Sequence, residues 1–314
     1  VQDLLDPWKN PVTYAIPFFL LSIAIELAAL KWLDHDDNTT LGNRPPTGYH
    51  APDARASLLM GLGSIGSLTL LKVMGFFGYL ALYEHVAPVH LDTDAWWYWP
   101  AVILTLDFFY YWQHRFVHRV NIGWAAHQAH HSSEYMNFGT ALRQKWNPWF
   151  ELLFWVPLPL LGFAPWSLYV AFGINLIYQF FVHTELIDRL PRPVEWVFNT
   201  PSHHRVHHGS DPEYLDKNYA GILIVWDRLF GSFQPERQRP TYGLTKPVGT
   251  YNVIKLQYGD YGQIVRNVRA ARSWRERLGY LFGPPGWAPP ERADLPRPPG
   301  PALPSAPSGA PSGG

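Results

Sequence analysis

Three short histidine patterns hold the residues best suited to chemistry in this chain. His114-Arg-Phe-Val-His118, His127-Gln-Ala-His130-His131 and His204-Arg-Val-His207-His208 are the patterns, and His203 directly precedes the last. On a helix, residues four apart leave one face a turn apart, so His114 and His118 can share a metal ion. In the second and third patterns the first and last histidines are again four apart, with the middle one three along. A single helical turn can therefore present three ligands, and the adjacent pair diverges enough to reach two different ions.

The first pattern is only superficially the zinc-protease HExxH, because Arg115 stands where that motif has its catalytic glutamate. A hydrolase reading therefore loses its general base. With His183, the patterns offer nine imidazoles, whereas a tetrahedral site takes about four ligands and an octahedral one about six. Two metals are the economical answer. An all-imidazole shell suits Fe, Zn, Cu or Ni. Iron is preferred, because zinc does no redox chemistry and a zinc hydrolase would need an evident carboxylate base.

The elements that must position these residues are apolar. Stretches at about 12–33, 56–86, 96–113, 149–164 and 166–182 approach the roughly 20 residues that cross a bilayer as helix. The last two are separated only by Gly162-Phe163-Ala164-Pro165 and read as a tight helical hairpin. The second is rich in glycine (Gly61, Gly63, Gly66, Gly75, Gly78), which suits close helix packing in lipid. Asn175, Gln179 and His183 put a polar stripe on the otherwise apolar fifth stretch. Lys and Arg concentrate in 34–55, 114–148 and 183–240 and are absent from 85–95. The positive-inside rule then sets the N-terminus outside and the histidines in the cytosol, with Trp96, Trp97 and Trp99 in an outer aromatic belt. Bis-histidine haem needs ligands facing each other across a bundle, whereas these cluster at the membrane edge.

Composition agrees. Aromatic residues make up 16% of the 314, charged residues another 16%, and the net charge of zero offers nothing to nucleic acid. The absence of cysteine excludes disulfides, iron–sulfur clusters and thiolate-ligated haem. Asp3 and Asp6 replace the basic start of a cleavable signal peptide. The expected fold is an all-α integral membrane protein of four to five transmembrane helices bearing a cytosolic, histidine-rich, two-metal helical cap. Residues 1–55 would be an N-terminal span and linker, 56–260 the catalytic domain, 261–283 a short helical extension and 284–314 a disordered Pro/Gly/Ser-rich tail.

The order of the three patterns resembles the fatty acid hydroxylase/sterol desaturase superfamily. The strings WAAHQAHHSSEYMNFGTALRQ (124–144), YQFFVHTELI (178–187), NTPSHHRVHHG (199–209) and DKNYAGILIVWDRLFGSF (216–233) carry the resemblance over about residues 55–260. They look most like its ether-lipid-cleaving members. The resemblance implies a four-span fold with a di-iron centre, O2 as co-substrate, and electrons from a donor protein or a reduced pterin. The substrate would be a membrane lipid, hydroxylated at the ether-adjacent carbon of an alkylglycerol. By match of position, His114, His118, His127, His130, His131, His183, His204, His207 and His208 are the iron ligands, with His203 just behind them. Glu134, Asn137 and Asn218 are candidates for supporting ligands or touching substrate, with a cap or turn role as the competing reading. Asp107, within the third apolar stretch, is read as orienting a ligand histidine, and Asp227 as a candidate for the same. Arg119 departs from the pattern, since the ether-lipid enzymes carry an acidic residue there. The rival readings are a sterol desaturase or fatty-acyl hydroxylase of the same superfamily, and a metal transporter or storage protein using the histidines as a carrier site, for which the apolar runs offer only Glu26, Asp107 and Glu151, unpaired in any obvious path. The chain's short form and its tail fit a bacterial inner membrane.

Overall fold

The computed structural model describes residues 11–36 and 48–290. The signal-peptide expectation, the segment 37–47 and most of the expected disordered tail lie outside the described residues. In chain order the helices are α1 (Pro11–Asp36), α2 (Ala51–His85), α3 (Tyr98–Arg119), α4 (Asn121–His131), α5 (Leu152–Trp155) and α6 (Pro157–Leu160). They continue with α7 (Pro165–Val182), α8 (Arg192–Val197), α9 (Pro201–His208), α10 (Val225–Leu229), α11 (Val253–Ala270) and α12 (Trp274–Phe282). The one β-bridge among the described residues pairs Gly209 with Tyr242.

Among the described residues three helices are long and apolar enough to cross a membrane: Pro11–Lys31 of α1, α2 and α7. At 35 residues, α2 extends roughly 50 Å, well beyond a hydrocarbon core of about 30 Å. The third apolar stretch becomes α3, 22 residues long. Its N-terminal part is apolar, and from Asp107 onward it runs without a break through Gln113, His114 and His118.

The expected hairpin of two full helices is not formed. Residues 149–164 make a 3-10 turn at Trp149–Glu151 followed by the four-residue helices α5 and α6. Pro157 and Pro159 have no N–H to give to the carbonyls four residues back, and their rings crowd the preceding turn. The turn itself survives: Gly162 adopts φ +92°, and its carbonyl accepts from Leu91 N at 2.9 Å. An added Cβ there would sit 2.5 Å from the Val89 carbonyl oxygen. Around this end a core of Tyr79, Tyr98, Val102, Leu106, Leu158, Phe163, Leu168 and Ala171 joins α2, α3, α6 and α7.

At the other end α3 stops at an extended Val120, and α4 folds straight back. Gly123 makes the corner, since a Cβ would lie 2.8 Å from Val117 Cα. The second histidine pattern is thereby laid on the first. The glycines of α2 act variously. Gly61 and Gly63 admit the Leu142 carbonyl and the Trp146 ring, whereas Gly66 and Gly78 face open space. At the C-terminal end of the described chain, Trp287 packs edge-on against Tyr280 at 5.1 Å.

Candidate metal centre

The nine histidines converge into two adjoining sets. His114, His118, His127, His131 and His207 form one and His130, His183, His204 and His208 the other, with ligand atoms in each set within 4.8 Å of one another. The division follows helical phase. Pairs four apart (114/118, 127/131, 204/208) stay together, while His130 and His207, the middle members of their patterns, cross to the opposite set. Helix α3 gives the first pair, α4 and α9 give three residues each, and His183 caps α7.

Backbone carbonyls fix the ring orientations. Nδ1 of His114 meets Tyr219 O at 2.8 Å, that of His130 meets Arg143 O at 3.2 Å, and that of His207 meets Lys217 O at 3.0 Å. His183 Nδ1 meets Gln179 O at 2.6 Å. With Nδ1–H committed, each Nε2 presents a bare lone pair to the interior. Those lone pairs face one another, as at His183 Nε2 and His130 Nε2, 3.3 Å apart. The Nε2 atoms of His118, His207 and His208 are buried with no partner. Burial first, then repulsion from neighbouring imidazoles, holds His127, His130, His131, His204 and His208 well below the usual imidazole range. Burial takes His207 down to about 4. Neutral imidazoles with convergent lone pairs are a donor set that fits metal ions and little else.

The carbonyls are themselves held by buried side chains. Asp227 accepts from Tyr219 N and Ala220 N, both at 2.8 Å, and from Ser232 Oγ at 2.7 Å. Burial nevertheless raises its carboxyl to about 6. Asp107 corrects the expectation that it orients a histidine, because it reaches none. It accepts from Asn175 Nδ2, Ile222 N, Leu223 N and Trp226 Nε1, at 2.7–3.0 Å. The two carboxylates thus grip a single segment, 219–223, whose Tyr219 carbonyl sets His114. Asp216 and Asn218 have φ of 59° and 55°, left-handed values that Asp and Asn tolerate best after glycine. They flank Lys217, whose carbonyl sets His207.

Other sequence candidates have structural partners away from the rings. Asn218 spans between His203 O and Gln234, donating and accepting. Asn137 closes the 137–140 turn and donates to Gly48 O at 2.7 Å. Glu134 is exposed and lines an open pocket of about 430 Å³ with Ser210, Thr241 and Tyr242. His203 stands outside both sets, with Nε2 3.1 Å from Glu195 Oε2. Arg119 pairs with Asp216 at 3.0 Å, and the same carboxylate lies 3.9 Å from His118 Nδ1.

Sequence reasoning passed over two buried arginines that brace the site. Arg143, whose carbonyl sets His130, pairs with Asp53 of α2 at 2.7 Å. Arg205, between His204 and Val206 in the third pattern, forks onto Glu236 at 2.9 and 2.7 Å. It also donates to the carbonyls of Thr184, Ile187 and Asp188. The only legible hint was a charged residue inside an otherwise buried-looking motif. Glu26 of α1 plays a related part, accepting from Tyr49 and Thr184 hydroxyls and from Phe138 N.

Membrane-length helices and two buried, all-imidazole donor sets define a membrane protein whose clustered histidines fit a metal centre. Residues 99–232 match the fatty acid hydroxylase family, so the chain carries a fatty acid hydroxylase domain, and that region contains all nine histidines. The chain is 39% identical over 290 residues to alkylglycerol monooxygenase of Homo sapiens, covering 91% of this chain and 62% of that protein. It is 44% identical over 212 residues to alkylglycerol monooxygenase of Xenopus tropicalis, covering 67% and 47%. Ornithine lipid hydroxylase OlsE of Rhizobium tropici is 30% identical over 167 residues, covering 51% and 50%. The chain therefore spans about three fifths of the length of the human relative. No solved structure matches.

Proposed function

We propose that this chain is an O2-dependent di-iron monooxygenase of the bilayer that hydroxylates the ether-adjacent carbon of an alkylglycerol. The observation that carries the reading is the division of nine imidazoles into sets of five and four with convergent, proton-free nitrogens. The similarity to alkylglycerol monooxygenase over 91% of the chain supports this substrate class. In this reading the two histidine sets each hold one iron, within a catalytic unit of residues 56–260 facing the cytoplasm.

Bound iron would supply the O2 activation that an unactivated C–H bond requires, with two electrons from an external donor protein or reduced pterin. The chain's own residues hold and orient. Carbonyls of Tyr219, Arg143, Gln179 and Lys217 fix the ring planes. Asp107 and Asp227 keep the 219–223 segment in register with α3. Helices α1, α2 and α7 keep the centre beside the lipid from which substrate arrives. No side-chain acid or base is required, because the hydroxylated ether is a hemiacetal and collapses to an aldehyde and glycerol.

A second reading within the superfamily, a fatty-acyl hydroxylase or sterol desaturase, draws on the similarity to ornithine lipid hydroxylase. Nothing favours a transporter. Glu26, Asp107 and Glu151 are each closed off locally, Glu151 by Lys145, and form no path.

The test is elemental analysis and Mössbauer spectroscopy of detergent-purified, iron-57-loaded protein, followed by O2-dependent turnover of alkylglycerols, acyl lipids and sterols. About two coupled irons per chain and aldehyde release from alkylglycerol are expected. Stoichiometric zinc with no O2 consumption would overturn the oxidase reading, and turnover of acyl lipid or sterol alone would transfer it to the second.

A further inference from the structure

The last two helices carry surfaces that the metal centre does not use. On α12, Trp274, Leu278 and Phe282 recur every four residues on one face, 74%, 51% and 57% exposed. Ile254, Tyr258 and Val265 form a matching exposed face on α11. Large apolar side chains in a row are uncommon on a water-facing helix and mark a contact surface. The charges flanking them are one-sided. Arg266, Arg269, Arg272, Arg275 and Arg277 stand against Glu276 alone over residues 261–283. Even Glu276 is engaged: it takes Arg272 N at 2.9 Å, while the N-cap Ser273 Oγ takes Glu276 N at 3.2 Å.

Packing sets the height of the pair. Leu256 of α11 lies in a core with Ala56 and Met60 of the spanning helix α2 and Ala129 of α4. Trp146, next to α11, donates Nε1 to Met60 O at 2.8 Å and its backbone N–H to Gln257 at 3.0 Å. At the far end, Asn121 binds Tyr280 O and Gly283 O at 2.7 and 2.9 Å, one residue beyond the corner where α3 ends. Helix α11 is therefore tied to the histidine-side end of the membrane-length helix α2, and α12 to the histidine-side end of α3. At that level α2 itself exposes Leu58, Leu59 and Leu62.

We infer that α11 and α12 lie in the interface of the histidine-side leaflet, apolar faces in the acyl boundary and arginines on anionic headgroups. The occupant of the exposed faces is the bilayer that the spans cross. Seated there, the pair buttresses α4, which Gln128 joins to Leu256 O at 2.7 Å. The second histidine pattern is thus held at a constant depth relative to incoming lipid. The inference rests on the membrane reading and is independent of the metal.

The chain has no cysteine, so single-site labelling of the full protein tests it directly. Leu278→Cys, Val265→Cys, Gln263→Cys and Leu62→Cys would each carry an environment-sensitive fluorophore, in nanodiscs with or without phosphatidylglycerol. Gln263 is exposed on the side of α11 opposite Val265. Labels at 278 and 265 should be quenched several-fold more by spin-labelled lipid than by iodide, with the reverse at 263. The lipid quenching at 278 should rise with phosphatidylglycerol, and this increase should vanish in an Arg269→Gln/Arg272→Gln/Arg275→Gln background. Iodide quenching at 278 equal to that at 263 would overturn the inference, as would shielding from both quenchers, which means protein covers the face. The label at 62 separates the failures: lipid-quenched at 62 with water at 278 sinks the surface contact alone, and water at both sinks the membrane reading.

Discussion

His130 and His183 face each other through Nε2 atoms 3.3 Å apart while each directs Nδ1 at a backbone carbonyl, Arg143 O and Gln179 O respectively. A neutral imidazole has one N–H, so with Nδ1–H given to a carbonyl both nitrogens at the contact are acceptors. Burial and neighbouring histidines disfavour protonation of His130, so the pair fits two ligands of one metal ion. The contact joins two helices, α4 and the end of α7, that share no sequence neighbourhood.

Removing one partner should empty one site and spare the other. His183→Ala is expected to lower bound metal from about two ions per chain to about one and to abolish turnover. His118→Ala should do the same from the five-histidine side. Elemental analysis of both variants checks this, and retention of two ions in either would show that the sets are not separate sites.

Asp107 is tested by Asp107→Asn. The amide would offer one oxygen and an NH2 to a pocket that supplies four donors, stranding at least two of them. A destabilisation on the order of 3 kcal/mol is expected, read as a fall in thermal midpoint together with weaker metal retention. An unchanged midpoint would remove Asp107 from the support of the 219–223 segment.

Gly221 is enclosed where that segment crosses α3 and α7. A Cβ would meet Asn175 Nδ2 at 2.6 Å, Asp107 Oδ1 at 2.8 Å and the Tyr110 ring at 2.9 Å. Gly221→Ala should therefore cost roughly 1–3 kcal/mol and loosen the Tyr219 carbonyl from His114. Chemical denaturation checks the stability, and metal off-rate into a chelator checks the coupling. A stable variant with fast metal loss and a destabilised one are both consistent, whereas wild-type behaviour in both is not.

Glu195 sets an acid limit on folding. Burial works against its ionisation, but hydrogen bonds from His203, Ser202, Leu190 N–H and Thr200 outweigh that and hold the carboxyl at about 2. A depressed carboxyl stabilises the fold above its unfolded value and loses that contribution as pH falls through the folded value. The loss should run from about pH 4.5 down to about pH 2. Glu195→Gln should flatten that part of the midpoint-against-pH curve, and an acid limb identical to the parent would show that the carboxylate contributes nothing there.

Spacing alone determined that three turns of helix would each offer histidines to shared ions, because the 3.6-residue period leaves no other face for pairs four apart. It likewise marked the apolar stretches that become α1, α2 and α7, since about 20 apolar residues have few other uses. The broken stretch at 149–164 was readable too, from Pro157 and Pro159, although apolar content outweighed them. What the sequence could not decide was which histidine joins which set. Helical phase parts His130 and His207 from the pairs four apart, but which distant pairs each then joins depends on how α4 and α9 are packed, to which the Gly123 corner and Arg205 docking on Glu236 contribute. Asp107 shows the same limit: a carboxylate on the face of His114 suggested direct contact, yet the 219–223 segment, over a hundred residues later, supplies two of its four donors and Trp226 just beyond it a third. Helical phase is local and legible in a string of letters, whereas the partner of a buried charge is whichever distant donors the packed chain brings within about 3 Å.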